Sequence, residues 1–185
     1  LLRLEPLNFG VAGGDVRADI RMDARREPID TRARIAVRGV ELPRLFPRAE
    51  LARGAAGRIA GDIVLQGQGN SVAAILGSAD GDVALGMGRG RISNLIMELA
   101  GLDIAEALKF LVTEDRQVPI RCAFADFGMQ DGLMTSRALA FDSTDTLIVG
   151  EGTVDLGGER LDLLLRPRPK DRSILTLRSP LRVGG

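Results

Sequence analysis

The sequence predicts a mainly β protein with a small α element, arranged as an antiparallel β-meander. Apolar and polar residues alternate with a period of two along most of the chain, most clearly over residues 15–24. Short turn sequences such as Gly13-Gly14, Asp131-Gly132 and Gly157-Gly158 separate about eight to ten such segments. Helical periodicity dominates one long stretch only, which begins near residue 91.

The first strands are predicted at residues 15–24, 31–39 and 57–69. Each has an apolar face; the opposite face carries alternating charges in the first strand and arginines in the second, except for Ala36. The apolar faces include Val16, Ile20, Met22, Ile35, Val37, Ile59, Ile63 and Leu65. Between and after these strands, the sequence predicts a short helical turn within Val40–Phe46. A second one is predicted at residues 71–77, capped by Asn70-Ser71.

A helical hairpin is predicted near residues 91–112. Apolar side chains recur there at three- and four-residue steps, from Ile92 to Leu102 and again from Ile104 to Leu111. Gly101 separates the two halves, and Asp103 is placed to cap the second. We expect this hairpin to cover the end of a sheet.

Four further strands and an alternating tail follow, over residues 118–129, 132–143, 145–156, 159–169 and 173–185. A meander of this kind ordinarily closes into a sandwich or barrel. With no linker or low-complexity stretch, residues 1–185 are expected to form one domain. Because the chain opens with Leu1-Leu2-Arg3 and without Met, we expect a fragment of a longer polypeptide.

The composition excludes several classes of function. Lys+Arg and Asp+Glu both total 25, so the chain has no net positive charge that would favour binding to nucleic acid. The chain lacks His, Trp and Tyr, which removes His-based catalytic triads, His-based zinc sites and most base stacking. We therefore expect no enzyme, no catalytic residue, no metal and no cofactor. The single cysteine, Cys122, is expected to be a small buried hydrophobe on the face of Ile120 and Phe124.

Three motifs allow more than one interpretation. Gly86–Gly90 resembles a dinucleotide fingerprint, but Arg91 occupies the position of its last glycine, so a β-to-helix turn is favoured. Asp142–Thr146 has the carboxylates and hydroxyls of a cation or paired-acid site, although tight-turn chemistry explains them better. The basic cluster Arg166, Arg168 and Lys170, separated by prolines, predicts polyproline geometry. One interpretation is that the cluster contacts lipid headgroups or an acidic partner. The other is that it is a stiff, soluble segment where the chain leaves a strand.

Several motifs in order resemble the C-terminal region of the AsmA family. They are GVAGGDV, GQGNSVAAILGSADGDV, GRGRISNLIMELAGLDIAEAL, VPIRCAFADF, FDSTDTLIVGEGTVDL and LRPRPKDRSILTLRSPLRV. The resemblance extends from about Leu4 to Val183, nearly the whole chain. It is a resemblance to an envelope family of Gram-negative bacteria that includes TamB-like proteins.

The resemblance implies an open, curved sheet, a groove or half-barrel, instead of a closed sandwich. It implies a non-enzymatic envelope-biogenesis module in the periplasm, part of a β-groove that handles phospholipid between the inner and outer membranes. An N-terminal anchor, absent from this chain, would attach the full-length protein to the inner membrane. The aliphatic residues from Val16 to Leu65 given above would then contact lipid. The alternative is a ligand-free interaction domain that binds envelope proteins and regulates outer-membrane protein assembly or targeting.

Overall fold

The computed structural model describes residues 1–45, 55–93, 117–170 and 179–185. Strands make up most of this part of the chain. They are β1 (Leu2–Val11), β2 (Gly14–Asp23), β3 (Asp30–Glu41), β4 (Arg58–Gln68), β5 (Asp80–Met87), β6 (Gly90–Ser93), β7 (Gln117–Gln130), β8 (Leu133–Ser143), β9 (Thr146–Asp155), β10 (Arg160–Pro169) and β11 (Leu181–Gly184). Two short helices are α1 (Leu42–Leu45) and α2 (Val72–Gly77).

All these strands form one open sheet that does not close into a barrel. The order is β1-β2-β3-β4-β5-β7-β8-β9-β10-β11, and every pairing is antiparallel. β6 pairs with β7 beyond the end of β5, so β5 and β6 follow the same side of β7. The predicted mainly β class and the open antiparallel meander are therefore confirmed, and the closed sandwich or barrel is not formed.

Tight turns join neighbouring strands as the sequence predicts. Ala12 and Gly13 link β1 to β2 with φ of 47° and 78°, and Asp131 and Gly132 link β7 to β8 with φ of 48° and 74°. Two consecutive positive φ angles are the signature of type I′ hairpins, whose twist matches that of the strands. α2 is capped by Ser71, whose hydroxyl accepts a hydrogen bond from the Ala74 amide at 3.1 Å. This confirms the second helical turn.

The start of the predicted helical hairpin is a strand. Residues 91–93 belong to β6, and the Arg91 amide and carbonyl exchange hydrogen bonds of 2.8 Å with Ala56. Ile92 pairs with Val118 on β7. Long-range pairing thus overrides the local helical periodicity here, and the glycine-rich turn joins two strands instead of opening a helix. The remainder of the hairpin, 94–112, lies outside the described residues.

The sheet has one apolar face and one charged face. The first, called the apolar face below, carries Ile20, Ile35, Ile63, Leu85 and Leu165; the charged face carries the intervening residues of the same strands. Within the described ranges, only eight hydrophobic residues are buried: Ala18, Ala33, Val40, Ala79, Val118, Ile120, Phe127 and Met129. A second layer over the apolar face would bury its large aliphatic side chains, and these are instead half-exposed.

Cys122 is exposed, so its predicted burial is wrong. Ile120, two residues earlier, is only 2% exposed, whereas Phe124, two residues later, is 44% exposed. The pairing of β7 with β8 shifts register between Ile120 and Cys122. Such a shift breaks the alternation of side chains along a strand, so residues two apart no longer share an environment.

Candidate functional site

The eight aliphatic residues that the sequence selects share the apolar face, all half-buried. Their strands are in register, which aligns them in rows across the sheet. Val16 lies opposite Val37, and Ile35 lies opposite Ile63. The row through Ile20 continues through Ala33 to Leu65, and Ile59 begins a row that continues to Met87. Whether any of these residues contacts lipid remains a prediction.

The apolar face encloses a trough of about 490 Å³ that extends from β4 to β10. Leu42 of α1 contributes to its wall. The large side chains along the strands are Ile59, Leu85, Met87, Phe124, Leu139, Phe141, Ile148, Leu163 and Leu165. A depression lined by six neighbouring strands requires the sheet to curve around it, so this part of the apolar face is concave.

Of the eight selected residues, only Ile59 lines the trough. The others extend the apolar face across β2, β3 and β4. Many of the trough residues come from β8, β9 and β10, and the sequence analysis did not select them. In β8 the alternation that could have marked them is interrupted by register shifts, between Asp126 and Phe127 against β7 and between Thr135 and Leu139 against β9. In β5 the alternation is clean, and it places Val83, Leu85 and Met87 on one face.

Gly150 shapes the floor of the trough. A Cβ atom at this position would lie 2.4 Å from Leu139 Cδ2 and 2.9 Å from Leu165 Cδ2. The absence of a side chain therefore lets the two leucines lie over the backbone of β9. Both leucines line the trough, and the space above Gly150 is filled from neighbouring strands.

Cross-strand ion pairs mark the opposite, charged face. Arg38 binds Asp62 at 2.8 Å, and Arg137 binds Asp82 at 2.6 Å. Exposed pairs of this kind contribute at most about 1 kcal/mol each. Their charged groups keep this face of the sheet hydrated.

The basic cluster Arg166, Arg168 and Lys170 does not form a polyproline exit. Arg166 and Arg168 belong to β10, in register with Val149 and Leu147 of β9. Proline lacks an amide donor and is tolerated at a strand edge. Among the described residues, β11 pairs with β10 only up to Leu165, so no described strand requires a donor from Pro167 or Pro169 on that side.

The three cations lie on the charged side of β10 or just beyond it. Arg166 binds Glu151 at 2.6 Å, and Lys170 Nζ contacts Asp142 and the Ser143 carbonyl. Arg168 is exposed and has no ion pair with any residue that the structure describes. Any headgroup or partner contact by this cluster would therefore depend first on Arg168.

The Asp142–Thr146 segment forms the turn between β8 and β9, as the sequence favours. The fully buried Ser143 hydroxyl accepts hydrogen bonds from the Asp145 and Thr146 amides at 3.2 and 3.0 Å. It also donates to the Thr146 carbonyl at 3.0 Å. Across residues 1–45, 55–93, 117–170 and 179–185, no three His, Cys, Asp or Glu side chains converge as a metal site would require.

The family model for "AsmA family" matches residues 1–139. The chain belongs to the AsmA family. A relative, AsmA family protein YhjG of Escherichia coli strain K12, is 39% identical over 184 residues, which covers all of this chain. The chain spans 27% of the length of that relative. No solved structure matches the chain.

The AsmA family is an envelope protein family, and its members are not known enzymes. Membership points in general terms to envelope biogenesis or lipid transport. Among the described residues, no helix of the AsmA chain has the length and apolar content needed to cross a membrane.

Proposed function

We propose that this AsmA-family chain is a non-enzymatic module of envelope biogenesis that holds phospholipid acyl chains against its apolar face. The module would act in the periplasm, as part of a β-groove that moves phospholipid between the inner and outer membranes. The observation that supports this most is the trough across β4–β10, which no described segment covers, with a mainly apolar lining and a charged face behind it. An anchor elsewhere in the full-length protein would attach it to the inner membrane.

The energetics favour an acyl chain as the occupant. Each methylene transferred from water to an apolar surface contributes about 0.8 kcal/mol to the free energy of binding. A few buried methylenes therefore contribute more than one exposed ion pair. The lining side chains Leu85, Ile148 and Leu165 offer no hydrogen bonds, so the trough selects for apolar shape. The rows on β2 and β3, through Ile20 and Ile35, would extend the same surface for a second chain or a longer one.

Two neighbouring residues on β5 give a matched test. Leu85 lines the trough, whereas Ala84 is exposed on the charged face. Leu85→Asp places a negative charge in the trough, against the acyl chain. Ala84→Asp adds the same charge on the opposite, charged face of the sheet. We expect phospholipid to be recovered by extraction and mass spectrometry from the parent protein and from Ala84→Asp. Recovery should fall at least about tenfold in Leu85→Asp. No phospholipid on the parent protein, or equal recovery from both variants, would overturn the proposal.

A second candidate function is a ligand-free interaction domain that binds envelope proteins. It is favoured by a row of paired residues without charge, Ala60, Gly86, Phe124, Ala140 and Val149, of which Gly86, Phe124 and Ala140 also border the trough. Phe124 in this row is 44% exposed, and Arg168 forms no ion pair with a described residue. Aromatic residues and arginine are both enriched at protein interfaces. If this is the function, a protein captured from an envelope extract should be lost with Arg168→Glu and kept with Arg26→Glu. Retention of that protein by Arg168→Glu would count against it.

A further inference from the structure

Two arginines without acidic partners line one depression. Arg89 and Arg121, together with Gly90, Pro119 and Ile120, surround a space of about 540 Å³. In the described part of the chain neither guanidinium forms an ion pair, whereas Arg38 and Arg137 each bind a carboxylate. Among the residues that the structure describes, no carboxylate lines the depression. The depression is therefore a locally cationic site in a chain whose formal net charge is zero.

The two arginines lie in facing segments of the sheet. β5 and β7 end their pairing at Met87 and Ala123, and β6 and β7 resume it at Gly90 and Ile120. Arg89 and Arg121 fall in the gap between these two pairs. Like charges across neighbouring strands are destabilising, so this placement has a cost that a bound anion would remove. Ile120 is 2% exposed, and an apolar floor strengthens the attraction of the guanidinium groups for an anion.

The depression adjoins the trough. Met87 and Ala123 both line the trough, and each is two residues along the chain from one of the arginines. A ligand with an anionic group on the arginines could therefore place an apolar tail among Met87, Phe141 and Ile148. Few molecules other than amphiphiles combine these two requirements.

We propose that Arg89 and Arg121 bind the phosphate group of a lipid whose acyl chains lie in the trough. This inference rests on the proposed function and adds to it a site for the headgroup. Guanidinium groups bind phosphate oxygens through paired, charge-assisted hydrogen bonds, and two arginines supply donors for three or more oxygens. The site would recognise the phosphate and not the rest of the headgroup, because the other described lining residues, Gly90, Pro119 and Ile120, carry no polar side chain.

Calorimetric titration with short-chain lipids tests this site. The probes are dihexanoylphosphatidylglycerol, the uncharged dihexanoylglycerol, and inorganic phosphate. The test variant is Arg89→Gln with Arg121→Gln. The matched control, Arg17→Gln with Arg26→Gln, removes the same charge from two exposed arginines that lack ion pairs in the described ranges. We expect the test variant to bind the phospholipid about tenfold or more weakly, the control to bind as the parent does, and dihexanoylglycerol binding to be unchanged.

The outcomes separate this inference from the proposed function. If the parent binds neither lipid, both fail. If the parent binds both lipids and the test variant keeps full affinity for the phospholipid, the arginine site fails and the proposed function stands. An equal loss in the control variant would also overturn the site, since it would reveal a general charge effect. If millimolar inorganic phosphate competes with the phospholipid, this supports recognition of the phosphate group. If inorganic phosphate binds and the phospholipid does not, the ligand of the two arginines is free phosphate, and the lipid headgroup is ruled out.

Discussion

Ser143 shows how one buried hydroxyl holds a turn together. Its side chain is fully buried and satisfies the amides of Asp145 and Thr146 while donating to the Thr146 carbonyl. Ser143→Ala leaves these backbone groups without a partner, so the free energy of unfolding should fall by about 1 to 3 kcal/mol. Denaturant unfolding followed by circular dichroism measures this. Thr144→Ala, at an exposed position in the same turn, is the control and should change stability by less than about 0.5 kcal/mol. Equal stability of Ser143→Ala and the parent would contradict this account of the turn.

Gly132 and Gly39 distinguish two reasons why a position requires glycine: the backbone conformation, and the lack of space for a side chain. Both have positive φ, of 74° and 68°. A Cβ at Gly132 would lie 2.5 Å from the Gly77 carbonyl oxygen, whereas a Cβ at Gly39 meets nothing within 4 Å. We expect Gly39→Ala to cost about 1 to 2 kcal/mol from backbone conformation alone. Gly132→Ala should cost about 1 to 3 kcal/mol more from the clash. Denaturant unfolding of both variants checks the difference, and equal losses would rule out the clash as a factor.

Single residues were predicted best where the strand alternation is unbroken. Ile20, Ile35 and Ile63 share the apolar face as expected, because β2, β3 and β4 pair without interruption through these positions. Cys122 was mispredicted because a register shift, which depends on the partner strand, reverses its environment. Arg89 and Arg121 are 32 positions apart in the sequence, and only the pairing of β5 and β6 with β7 brings them to one depression. No local pattern could have joined them.

The two outermost strands each depend on a carboxylate–arginine pair. Arg21 on β2 binds Glu5 on β1, and Arg182 on β11 binds Asp162 on β10 through contacts of 2.8 and 2.7 Å. Hydrogen bonds from these arginines lower the pKa of Glu5 and of Asp162 below their usual values. A carboxylate with a lowered pKa in the folded state stabilises the fold above its unfolded pKa of about 4. This contribution is lost as the pH falls through the folded value.

We therefore predict that acid loosens β1 and β11 before the inner strands. Amide hydrogen exchange, corrected for the intrinsic effect of pH, should show a larger loss of protection at the two edges than in β4 or β5 between pH 7 and pH 3. Glu5→Gln should abolish the pH dependence at β1 and leave that at β11 intact. Uniform loss of protection across the sheet would contradict this prediction. The energies are small because both pairs are exposed to solvent.

At the level of elements, strand prediction succeeded where turn chemistry and alternation agreed, as at Asp131-Gly132, and the turn predicted at Gly13-Gly14 lies one residue earlier, at Ala12-Gly13. It was wrong where a partner strand decided the outcome. Arg91–Ser93 has a helical pattern but pairs with β7, and Pro167 and Pro169 suggest an exit but occupy the edge of β10. In each case the long-range backbone pairing, which no short window of sequence contains, outweighs the local preference.

The molecule as a whole is a sheet whose apolar face lacks a second layer in the part that the structure describes. A folded chain normally buries its aliphatic residues, yet Leu85, Ile148 and Leu165 remain half-exposed around the trough. The native state should therefore bind hydrophobic dyes, a property that most proteins show only when partly unfolded. The fold class came from the alternation of residues, but the open face could be expected only through the family resemblance. Alternation alone suits a closed sandwich equally well.

The exposed apolar face gives a prediction for the whole molecule. At pH 7 and without denaturant, the protein should enhance anilinonaphthalene sulfonate fluorescence while its strand circular dichroism stays native, because the dye occupies the apolar trough. Added phosphatidylglycerol should displace the dye in proportion to the lipid bound. Leu85→Asp places a charge among the trough side chains and should lower dye emission severalfold, whereas Ala84→Asp, at an exposed position on the charged face, should leave it unchanged. Emission that appears only at the midpoint of unfolding would mean that the apolar face is covered in the native state.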